Sequence, residues 1–470
     1  MLKKLNRETT GIKRTYPIKV LQFGDGNFMR GFMDWIIDIL NEKTDFNGAV
    51  KIIRPLRNTK EVRVFEQGGL YHVAQRGLLN GKTISETRLI TCVTDAINPY
   101  SDFEQFLKSA ENPDLQFIIS NTTEAGIIFD PKDVTVNSAP ESFPGKVTVL
   151  LYHRFNFFKG DKAKGLTLIP CELIEKNGDT LIETILKYID YWNLSGDFKE
   201  WVTQDNTFCN TLVDRIVPGF PKDTANEIHQ SIGYEDTQLV MSEPYHLLVI
   251  EGSEHVKKIF QTDQTGLNVK FVSDITPYRI RKVRILNGAH TALVPIAYLR
   301  GLRTVKESIN DSYAGEFIRK AIDEEIIPTL DLPEEELKQF AADIIERFQN
   351  PFIKHELISI ALNSISKFKV RVLPTILEYE KRTGKLPERL LQSLAALIIF
   401  YKGNWNDEQI PLKDSPEVLS FFKDVWQNNK TEEVVQKVLS NISFWGCDLT
   451  HTKGLQAMVS RQVNEICNAH

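Results

Sequence analysis

The segment from Ile18 to Leu40, IKVLQFGDGNFMRGFMDWIIDIL, places an apolar strand, a tight glycine turn and a helix in direct succession. After the turn, apolar residues recur at helical spacing, at Phe28, Phe32, Trp35, Ile36 and Ile39. Gly24 and Gly26 would let the backbone approach a pyrophosphate, and the next helix offers free N–H groups to its charge. Met29 replaces the third glycine of the dinucleotide fingerprint, and Asp25 is an acid where an anion would lie. On this stretch alone, a nucleotide site and a purely structural turn remain equally compatible.

Strands and helices alternate through the rest of the N-terminal half. Further strands are predicted at Ala49 to Ile53, Leu115 to Ser120, Leu166 to Pro170 and Leu247 to Ile250, with an amphipathic helix that ends near Trp192. From Pro277 onward helices dominate, at Ala314 to Glu325, Pro333 to Phe348, Lys354 to Lys367, Leu386 to Tyr401 and Pro416 to Asn428. A chain of 470 residues exceeds what one hydrophobic core normally supports. The pattern therefore predicts an α/β domain at 1–275 followed by an all-helical domain at 276–470.

Polar residues follow two of the predicted strands. The turn from Asn121 to Gly126 comes directly after Ser120, at a strand end of the kind where open α/β sheets bind ligands. After the strand that ends at Ile53, the acid that would bind an adenosine ribose is missing. Arg54 stands there and would favour a 2′-phosphate, so the residues alone leave the choice between NAD and NADP open.

The stretch from Thr276 to His290, TPYRIRKVRILNGAH, carries the side chains best suited to chemistry at a carbonyl group. At about 100° per residue, His290 lies roughly 80° and Asn287 roughly 140° around a helix from Lys282, with Arg279 roughly 60° round. A lysine whose pKa is lowered by burial and by neighbouring cations can exchange a proton with a hydroxyl, while Asn and His donate hydrogen bonds to the oxygen. The candidate cations are Arg279, Arg281 and Arg284. A surface lysine and a satisfied core histidine are the alternative interpretation.

Charge and composition exclude several classes of protein. The net charge is -5 and the 57 basic residues are dispersed, so a nucleic-acid partner is not expected. The N-terminus has no cleavable apolar stretch and no window approaches a membrane span, which predicts a cytoplasmic protein without a membrane partner. The five cysteines, odd in number and far apart, show no zinc-like pairing and are expected to be reduced thiols: Cys92, Cys171, Cys209, Cys447 and Cys467.

The spacing of Lys282, Asn287 and His290, together with an N-terminal Gly-x-Gly-x-Phe-x-Arg, resembles the mannitol dehydrogenase family of long-chain polyol dehydrogenases. The blocks most similar to the branch that reduces tagaturonate to altronate are QFGDGNFMRGF, SNTTEAGI, IPCELIEKNGD, TLVDRIVPG, RKVRILNGAHTALVP and RFQNPFIKHEL. The resemblance covers nearly the whole chain. It implies a Rossmann-type dinucleotide-binding domain, a helical substrate and catalytic domain, NAD as cofactor, and hydride transfer without a metal. Lys282 would be the general acid/base, acting with Asn287 and His290.

The resemblance and the glycine turn together give a set of predicted site residues. The cofactor is expected at Gly24, Asp25, Gly26, Asn27, Phe28, Arg30, Asn121, Thr122, Thr123 and Glu124. The sugar-acid substrate is expected at Arg279, Glu172, Arg347 and His355. Polyol members of the family carry Ser-Cys-Asp-Asn where this chain has Pro170-Cys171-Glu172-Leu173, so their second carboxamide is absent and Asn287 is left with His290. The extra cations suit a substrate carboxylate.

Other functions remain open at this point. Fructuronate reductase and a mannitol-type polyol dehydrogenase are the nearest enzymatic alternatives. A nucleotide-sensing or scaffolding protein that kept the fold is the alternative from another class, although a sensor would not need the intact set of Lys282, Asn287 and His290.

Overall fold

The computed structural model describes residues 2–13, 15–54, 57, 63–122 and 126–468. Two compact units are present, the first formed by Met1–Arg76 with Thr83–Ile275 and the second by Gly77–Lys82 with Thr276–His470. A single boundary near residue 275 does not anticipate that Gly77–Lys82 groups with the second unit, because the pattern of a hairpin does not reveal which core receives its tip.

A six-stranded, all-parallel sheet forms the centre of the first unit. Its strands in chain order are β1 (Ile18–Phe23), β2 (Ala49–Ile53), β3 (Val93–Ile97), β4 (Phe117–Ser120), β5 (Thr167–Pro170) and β6 (Thr207–Phe208). They lie in the order β3-β2-β1-β4-β5-β6. This is the doubly wound dinucleotide-binding order, and the direction of winding reverses between β1 and β4. The Rossmann-type fold class is thereby confirmed.

Both faces of this sheet are buried, as parallel sheets require. Alternate residues of β4 separate into two cores: Phe117 and Ile119 pack with the helix Met33–Lys43, whereas Ile118 packs with the helix Phe143–Phe157. The four central strands therefore read as mainly apolar runs, and the sequence predicts them. The two edge strands, β3 and β6, are less buried and are not predicted.

The other elements that precede residue 276 belong to the first unit, except for the hairpin tip Gly77–Lys82, which belongs to the second. The further strands are Lys3–Lys4, Tyr71–Leu79, Lys82–Ile90, Asn210–Asp214, Tyr234–Glu235, Val240–Ser242, Leu247–Glu251 and Val269–Val272. The α-helices are Arg7–Thr10, Asn27–Gly31, Met33–Lys43, Phe103–Lys108, Phe143–Phe157, Asn177–Tyr191, Gly196–Asp205, Ala225–Ile232 and Glu254–Phe260. Short 3-10 turns lie at Arg63–Gln67, Ser109–Glu111, Lys162–Lys164 and Thr262–Gln264.

The second unit is almost entirely helical. Its α-helices are Thr276–Arg281, Ala289–Leu299, Val305–Asn310, Ser312–Lys320, Glu334–Phe348, Leu357–Ile360, Ser364–Arg371, Leu373–Thr383, Glu388–Phe400, Pro416–Asn428, Thr431–Leu439, Ile442–Trp445 and Leu455–Asn468. Lys282–Gly288 and Ala321–Ile326 are π-helical, Ile327–Thr329 and Leu449–His451 are 3-10 turns, and Asn404–Trp405 pairs with Glu408–Gln409. Among the described residues, no helix has both the length and the apolar character needed to cross a bilayer.

The predicted helix Lys354 to Lys367 is wrong. Two helices, Leu357–Ile360 and Ser364–Arg371, occupy this region and are separated at Asn363, whose φ of 51° is left-handed. Asparagine tolerates this conformation better than most residues, and it ends helical hydrogen bonding. Periodicity spans such a break because the apolar positions on both sides still face the core.

The tip of the hairpin Tyr71–Leu79 and Lys82–Ile90 is held by one carboxylate of the second unit. The backbone N–H groups of Asn80 and Gly81 donate to Glu346 at 3.0 and 2.5 Å. Both residues have positive φ, 53° and 73°, as a two-residue turn with an Asn-Gly sequence requires. The turn is therefore attached next to Arg347, one of the predicted substrate residues.

Candidate active site

The glycine turn lies at the point where the sheet reverses its winding. Gly24 follows β1 with a φ of 111°, and a Cβ atom there would lie 3.0 Å from the carbonyl oxygen of Asn121. The N–H of Asn121 in turn donates to the carbonyl of Phe23 at 3.2 Å. Gly26 precedes the helix Asn27–Gly31 and faces open space, with no atom within 4 Å of a Cβ placed on it. The ends of β1 and β4 therefore form a backbone cradle that fits a dinucleotide pyrophosphate.

Other predicted cofactor residues of this turn make contacts within the protein itself. Arg30 donates to the carbonyl of Gln238 at 2.7 Å and to the side-chain oxygen of Asn27 at 2.8 Å. Phe28 stacks on Phe32 at 4.9 Å, and the two residues span the break between the helices Asn27–Gly31 and Met33–Lys43. The guanidinium of Arg30 thus braces the turn, and its contact with a phosphate stays a prediction.

The opposite charges of Asp25 and Arg54 meet across this edge of the sheet, with Arg54 Nη2 lying 3.7 Å from the Asp25 carboxylate. Asp25 is the acid in the glycine turn, and Arg54 follows β2. Each residue reduces the field that the other would impose on a bound anion.

A buried carboxylate joins the ends of β4 and β5. Glu172 is 3% exposed, and its two oxygens accept from the Ser120 hydroxyl at 3.0 Å and from the N–H of Thr122 at 3.0 Å. Burial raises the pKa of Glu172, whereas these hydrogen bonds lower it. Asn121 donates to the carbonyl of Cys171 at 2.6 Å. Glu172 therefore orders the turn after β4, and its contact with substrate stays a prediction.

Two predicted cofactor residues of the same turn, Thr123 and Glu124, lie outside the described residues.

Substituting Gly24 with Ala should destabilise the protein. An alanine at this φ is strained by about 1 to 3 kcal/mol, and its Cβ would press on the Asn121 carbonyl. Thermal unfolding of the apoprotein measures the effect. Gly26→Ala is the matched control, because Gly26 has a φ of -65° and open space. A Gly24→Ala protein as stable as Gly26→Ala would show that the turn is not constrained in this way.

Lys282 and Asn287 lie on a π-helical segment, Lys282–Gly288, between the α-helices Thr276–Arg281 and Ala289–Leu299. A π-helix is closed by i to i+5 hydrogen bonds, so a residue five positions on lies about one turn further along. The predicted rotation of roughly 140° between the two side chains, which assumes an α-helix, is therefore wrong. The π segment brings Asn287 closer to the direction of Lys282. Such segments are frequent at functional sites.

A close contact accompanies the π segment at its C-terminal end. A Cβ on Gly288 would lie 3.1 Å from the carbonyl oxygen of Arg371, so the helix Ser364–Arg371 approaches the backbone here. Lys282 and Asn287 are half-buried, and Ile285 and Leu286 between them are buried. The side chains of Lys282 and Asn287 therefore lie on a segment that is anchored in the core by the buried residues between them.

His290 packs against residues of the block RFQNPFIKHEL, which contains the predicted substrate residues Arg347 and His355. Its ring stacks on Phe348 at 4.0 Å with an interplanar angle of 17°, and meets the ring of His355 edge-on at 5.1 Å. Arg347, adjacent to Phe348, is 7% exposed. Burial lowers the pKa of His355, so this imidazole is neutral at pH 7. The second unit therefore brings His290, Phe348 and His355 together, and Arg347 precedes Phe348 in the same helix.

The candidate cations differ in how they are bound. Arg281 pairs with Glu336 at 2.8 Å and lies over the ring of Phe340 at 4.3 Å, so its charge is compensated. Arg284 donates to the hydroxyl of Thr375 at 2.8 Å. Arg279, on the turn before Lys282, is half-buried.

Side chains that hold metals are not assembled in the described ranges. Within them, no group of three or more His, Cys, Asp or Glu side chains is arranged to hold a metal ion. The five cysteines are free thiols. Metal independence of the reaction stays a prediction.

The sequence interpretation missed a buried polar network under the glycine turn. Gln22 and Asp34 are both fully buried there, and the Asp34 carboxylate accepts from the Tyr71 hydroxyl at 2.7 Å and from the Gln22 amide at 3.5 Å. A signal was present, because Gln22 interrupts an apolar strand and Asp34 interrupts an apolar helix face.

Comparison with known proteins identifies relatives of both units. The model of the mannitol dehydrogenase Rossmann domain matches residues 18–263, and that of the mannitol dehydrogenase C-terminal domain matches residues 274–467. An altronate oxidoreductase of Bacillus subtilis is 48% identical over 467 residues, 99% of this chain and 96% of that protein. One from Phocaeicola vulgatus is 45% identical over 467 residues, 99% of this chain and 97% of its own.

Two solved structures share the fold at 21% sequence identity. Mannitol 2-dehydrogenase of Pseudomonas fluorescens, in a ternary complex with NAD and D-mannitol, has a TM-score of 0.69 and covers 99% of this chain and 97% of its own. A D-sorbitol dehydrogenase in substrate-free form has a TM-score of 0.75 and covers 97% and 100%.

Proposed function

The chain belongs to the mannitol dehydrogenase family, as an oxidoreductase acting on CH–OH groups, and on that premise we propose that it interconverts D-tagaturonate and D-altronate with NAD as cofactor. The observation that carries the proposal is the similarity to altronate oxidoreductases along nearly the whole chain. The position of Lys282, Asn287 and His290 on and next to a π segment supports it.

The reaction needs a hydride for the carbonyl carbon and a proton for the carbonyl oxygen. NADH, held at the glycine turn by the backbone of Gly24 and Gly26, would supply the hydride. Lys282 donates the proton to the oxygen as the C–H bond forms, and recovers it when altronate is oxidised. Asn287 and His290 donate hydrogen bonds to the same oxygen as negative charge develops on it. Stacking on Phe348 fixes the plane of the His290 ring, so its N–H direction is set before substrate binds.

The substrate carboxylate is assigned to a buried or half-buried arginine. Arg347 is 7% exposed, and Arg279 precedes Lys282 on the same helical stretch. A guanidinium removed from water binds a carboxylate through two parallel hydrogen bonds. His355, neutral at pH 7, would serve a hydroxyl of the sugar acid instead.

A substrate panel tests this function. Purified protein is assayed for NADH oxidation with tagaturonate, fructuronate, tagatose and fructose, and for NAD reduction with altronate, with the product identified by chromatography. Tagaturonate should give the highest kcat/KM. A higher value for fructuronate would favour that reductase, and a higher value for a neutral ketose would favour a polyol dehydrogenase. NADH binding without turnover of any of them would indicate a nucleotide sensor.

NADH should be preferred to NADPH by at least about 10-fold in kcat/KM. Arg54 could attract a 2′-phosphate, but its guanidinium lies 3.7 Å from the Asp25 carboxylate, which offsets its charge. Steady-state kinetics with both cofactors measure the ratio. Substituting Asp25 with Asn should narrow the preference for NADH over NADPH, because it removes the negative charge that lies beside Arg54. A native enzyme that favours NADPH would overturn the assignment.

A further inference from the structure

The carboxyl of Asp34 lies beneath the glycine turn and has no access to solvent. Asp34 is in the first turn of the helix Met33–Lys43 and is 0% exposed. Its Oδ2 accepts from the Tyr71 hydroxyl at 2.7 Å and, more weakly, from the Gln22 amide at 3.5 Å. Among the described residues, none hydrogen-bonds its buried Oδ1. The proposed transfer of a hydride and a proton to the substrate carbonyl uses none of these groups, so the network needs its own explanation.

Asp34 is connected to both sides of the glycine turn. On one side, Gln22 donates to the carbonyl of Gly24 at 3.1 Å and so links the carboxyl to the residue with the left-handed φ. On the other side, the Tyr71 hydroxyl that donates to Asp34 also lies 3.3 Å from the carbonyl of Arg30. The single hydroxyl proton cannot serve both acceptors at once. An ionised Asp34 carboxylate would keep the hydrogen bond from the Tyr71 hydroxyl, whereas a neutral Asp34 carboxyl leaves that hydroxyl free to donate to the Arg30 carbonyl.

The charged groups around Asp34 do not keep its carboxyl ionised. The surrounding titratable groups are Tyr71, Arg30, Asp38 one helical turn on, and the thiol of Cys92, which donates to the Asp34 carbonyl at 3.3 Å. Arg30 is engaged by Gln238 and Asn27, and Asp38 by Arg88. Burial raises the pKa of Asp34 to about 7, against the hydrogen bonds of Tyr71 and Gln22, which lower it. The carboxyl therefore changes charge in the neutral range.

We propose that Asp34 is a positioning residue whose proton is coupled to dinucleotide binding: the neutral carboxyl favours the bound state, and the ionised carboxyl opposes it. The physical reason is that a buried carboxylate and the pyrophosphate are like charges on the two sides of one backbone turn, where little water screens them. Bound dinucleotide should then raise the affinity of Asp34 for its proton, since coupling between two sites is reciprocal. The inference rests on the proposed use of a nicotinamide dinucleotide.

The dissociation constant for NADH as a function of pH is the direct test. In the native protein, with affinity followed by nicotinamide fluorescence, Kd should rise about 5-fold from pH 6.0 to pH 8.5, a coupling at the low end of the usual range. In Asp34→Asn, which keeps the shape without the titration, Kd should change by less than about 2-fold. Asp45→Asn removes an exposed acid just after the same helix and should keep the native profile. An Asp34→Asn profile that follows the native one overturns the proposal.

A second variant retains the carboxyl and moves its titration. Tyr71→Phe removes the donor that favours ionised Asp34, so the midpoint of the Kd profile should move to higher pH by about one unit, the equivalent of a tenfold change in proton affinity. An unmoved midpoint would show that the titrating group is not Asp34. Calorimetry at pH 7.5 in two buffers of different ionisation enthalpy should show proton uptake on NADH binding by the native protein and none by Asp34→Asn.

The apoprotein gives a readout that needs no cofactor. Because the folded-state pKa of Asp34 is above its unfolded value, the stabilisation from the neutral form is fully present below the unfolded pKa of about 4 and is lost progressively as pH rises through about 7. Tm of the native protein should therefore fall more steeply between pH 6.0 and pH 8.5 than Tm of Asp34→Asn. If native protein binds no NADH at any pH, the cofactor proposal fails and this one with it. If it binds NADH with equal affinity across this range, only the present inference fails.

Discussion

Replacing Lys282 with Ala should slow hydride transfer by at least about 100-fold while NADH binds with near-native affinity. The substitution removes the proton donor from the π segment but leaves the glycine turn of the first unit untouched. Single-turnover kinetics with tagaturonate measure the chemical step, and fluorescence measures the NADH affinity. The primary isotope effect with deuterated NADH should rise in the variant because chemistry becomes rate-limiting.

Two further substitutions separate proton transfer from charge. Lys282→Arg keeps the positive charge but cannot release a proton near neutral pH, so it should remain nearly as slow as Lys282→Ala. Lys306→Ala removes an exposed lysine of the same unit and should turn over normally. Near-native turnover by Lys282→Ala across pH would remove this residue from the mechanism.

Substituting Arg347 with Met should lower kcat/KM for tagaturonate far more than kcat/KM for the uncharged ketose tagatose. Losing one partner of a desolvated guanidinium–carboxylate contact costs about 2 to 5 kcal/mol, or roughly 30-fold to several thousand-fold in kcat/KM. Met fills most of the volume of the arginine stem, so packing beside Phe348 should be kept. The measured quantity is the ratio of kcat/KM for tagaturonate to that for tagatose, in native and variant enzyme.

The same ratio decides between the two candidate arginines. Arg279→Met is assayed alongside, and whichever substitution collapses the ratio identifies the group that holds the carboxylate. Arg461→Met, at an exposed position of the last helix, should leave the ratio unchanged. If neither Arg279→Met nor Arg347→Met narrows the gap, recognition of the carboxylate by these arginines is excluded. Equal reduction of uncharged ketoses by the native enzyme would exclude the sugar-acid substrate itself.

Four of the six strands of the parallel sheet could be predicted, because burial on both faces leaves an apolar run; the less buried edge strands β3 and β6 could not. The strand Ala49–Ile53 is confirmed residue for residue, and β5 begins one residue after its predicted start. The hairpin Tyr71–Ile90 was missed although Asn80-Gly81 is a strong turn signal. Its strands mix polar and apolar residues, so periodicity alone does not mark them.

The geometry of the candidate site was less accessible from the sequence. The apolar residues Ile285 and Leu286 satisfy an α-helix and a π-helix equally well, so nothing in their spacing reveals the extra residue of the π turn. The contact that accompanies it, between Gly288 and the carbonyl of Arg371, joins positions far apart in the chain. Phe348 was likewise unforeseen, since only the folded unit places its ring on His290.

The grouping of Gly77–Lys82 with the second unit has a consequence for how such a protein can be taken apart or recombined. A gene fusion cut at residue 275 would exchange the helical unit but leave behind the turn whose N–H groups bind Glu346. The two units therefore cannot be exchanged with a single cut, because the chain passes from one unit to the other three times. A chimaera between relatives should carry the Asn80-Gly81 turn and the helix Glu334–Phe348 from the same parent.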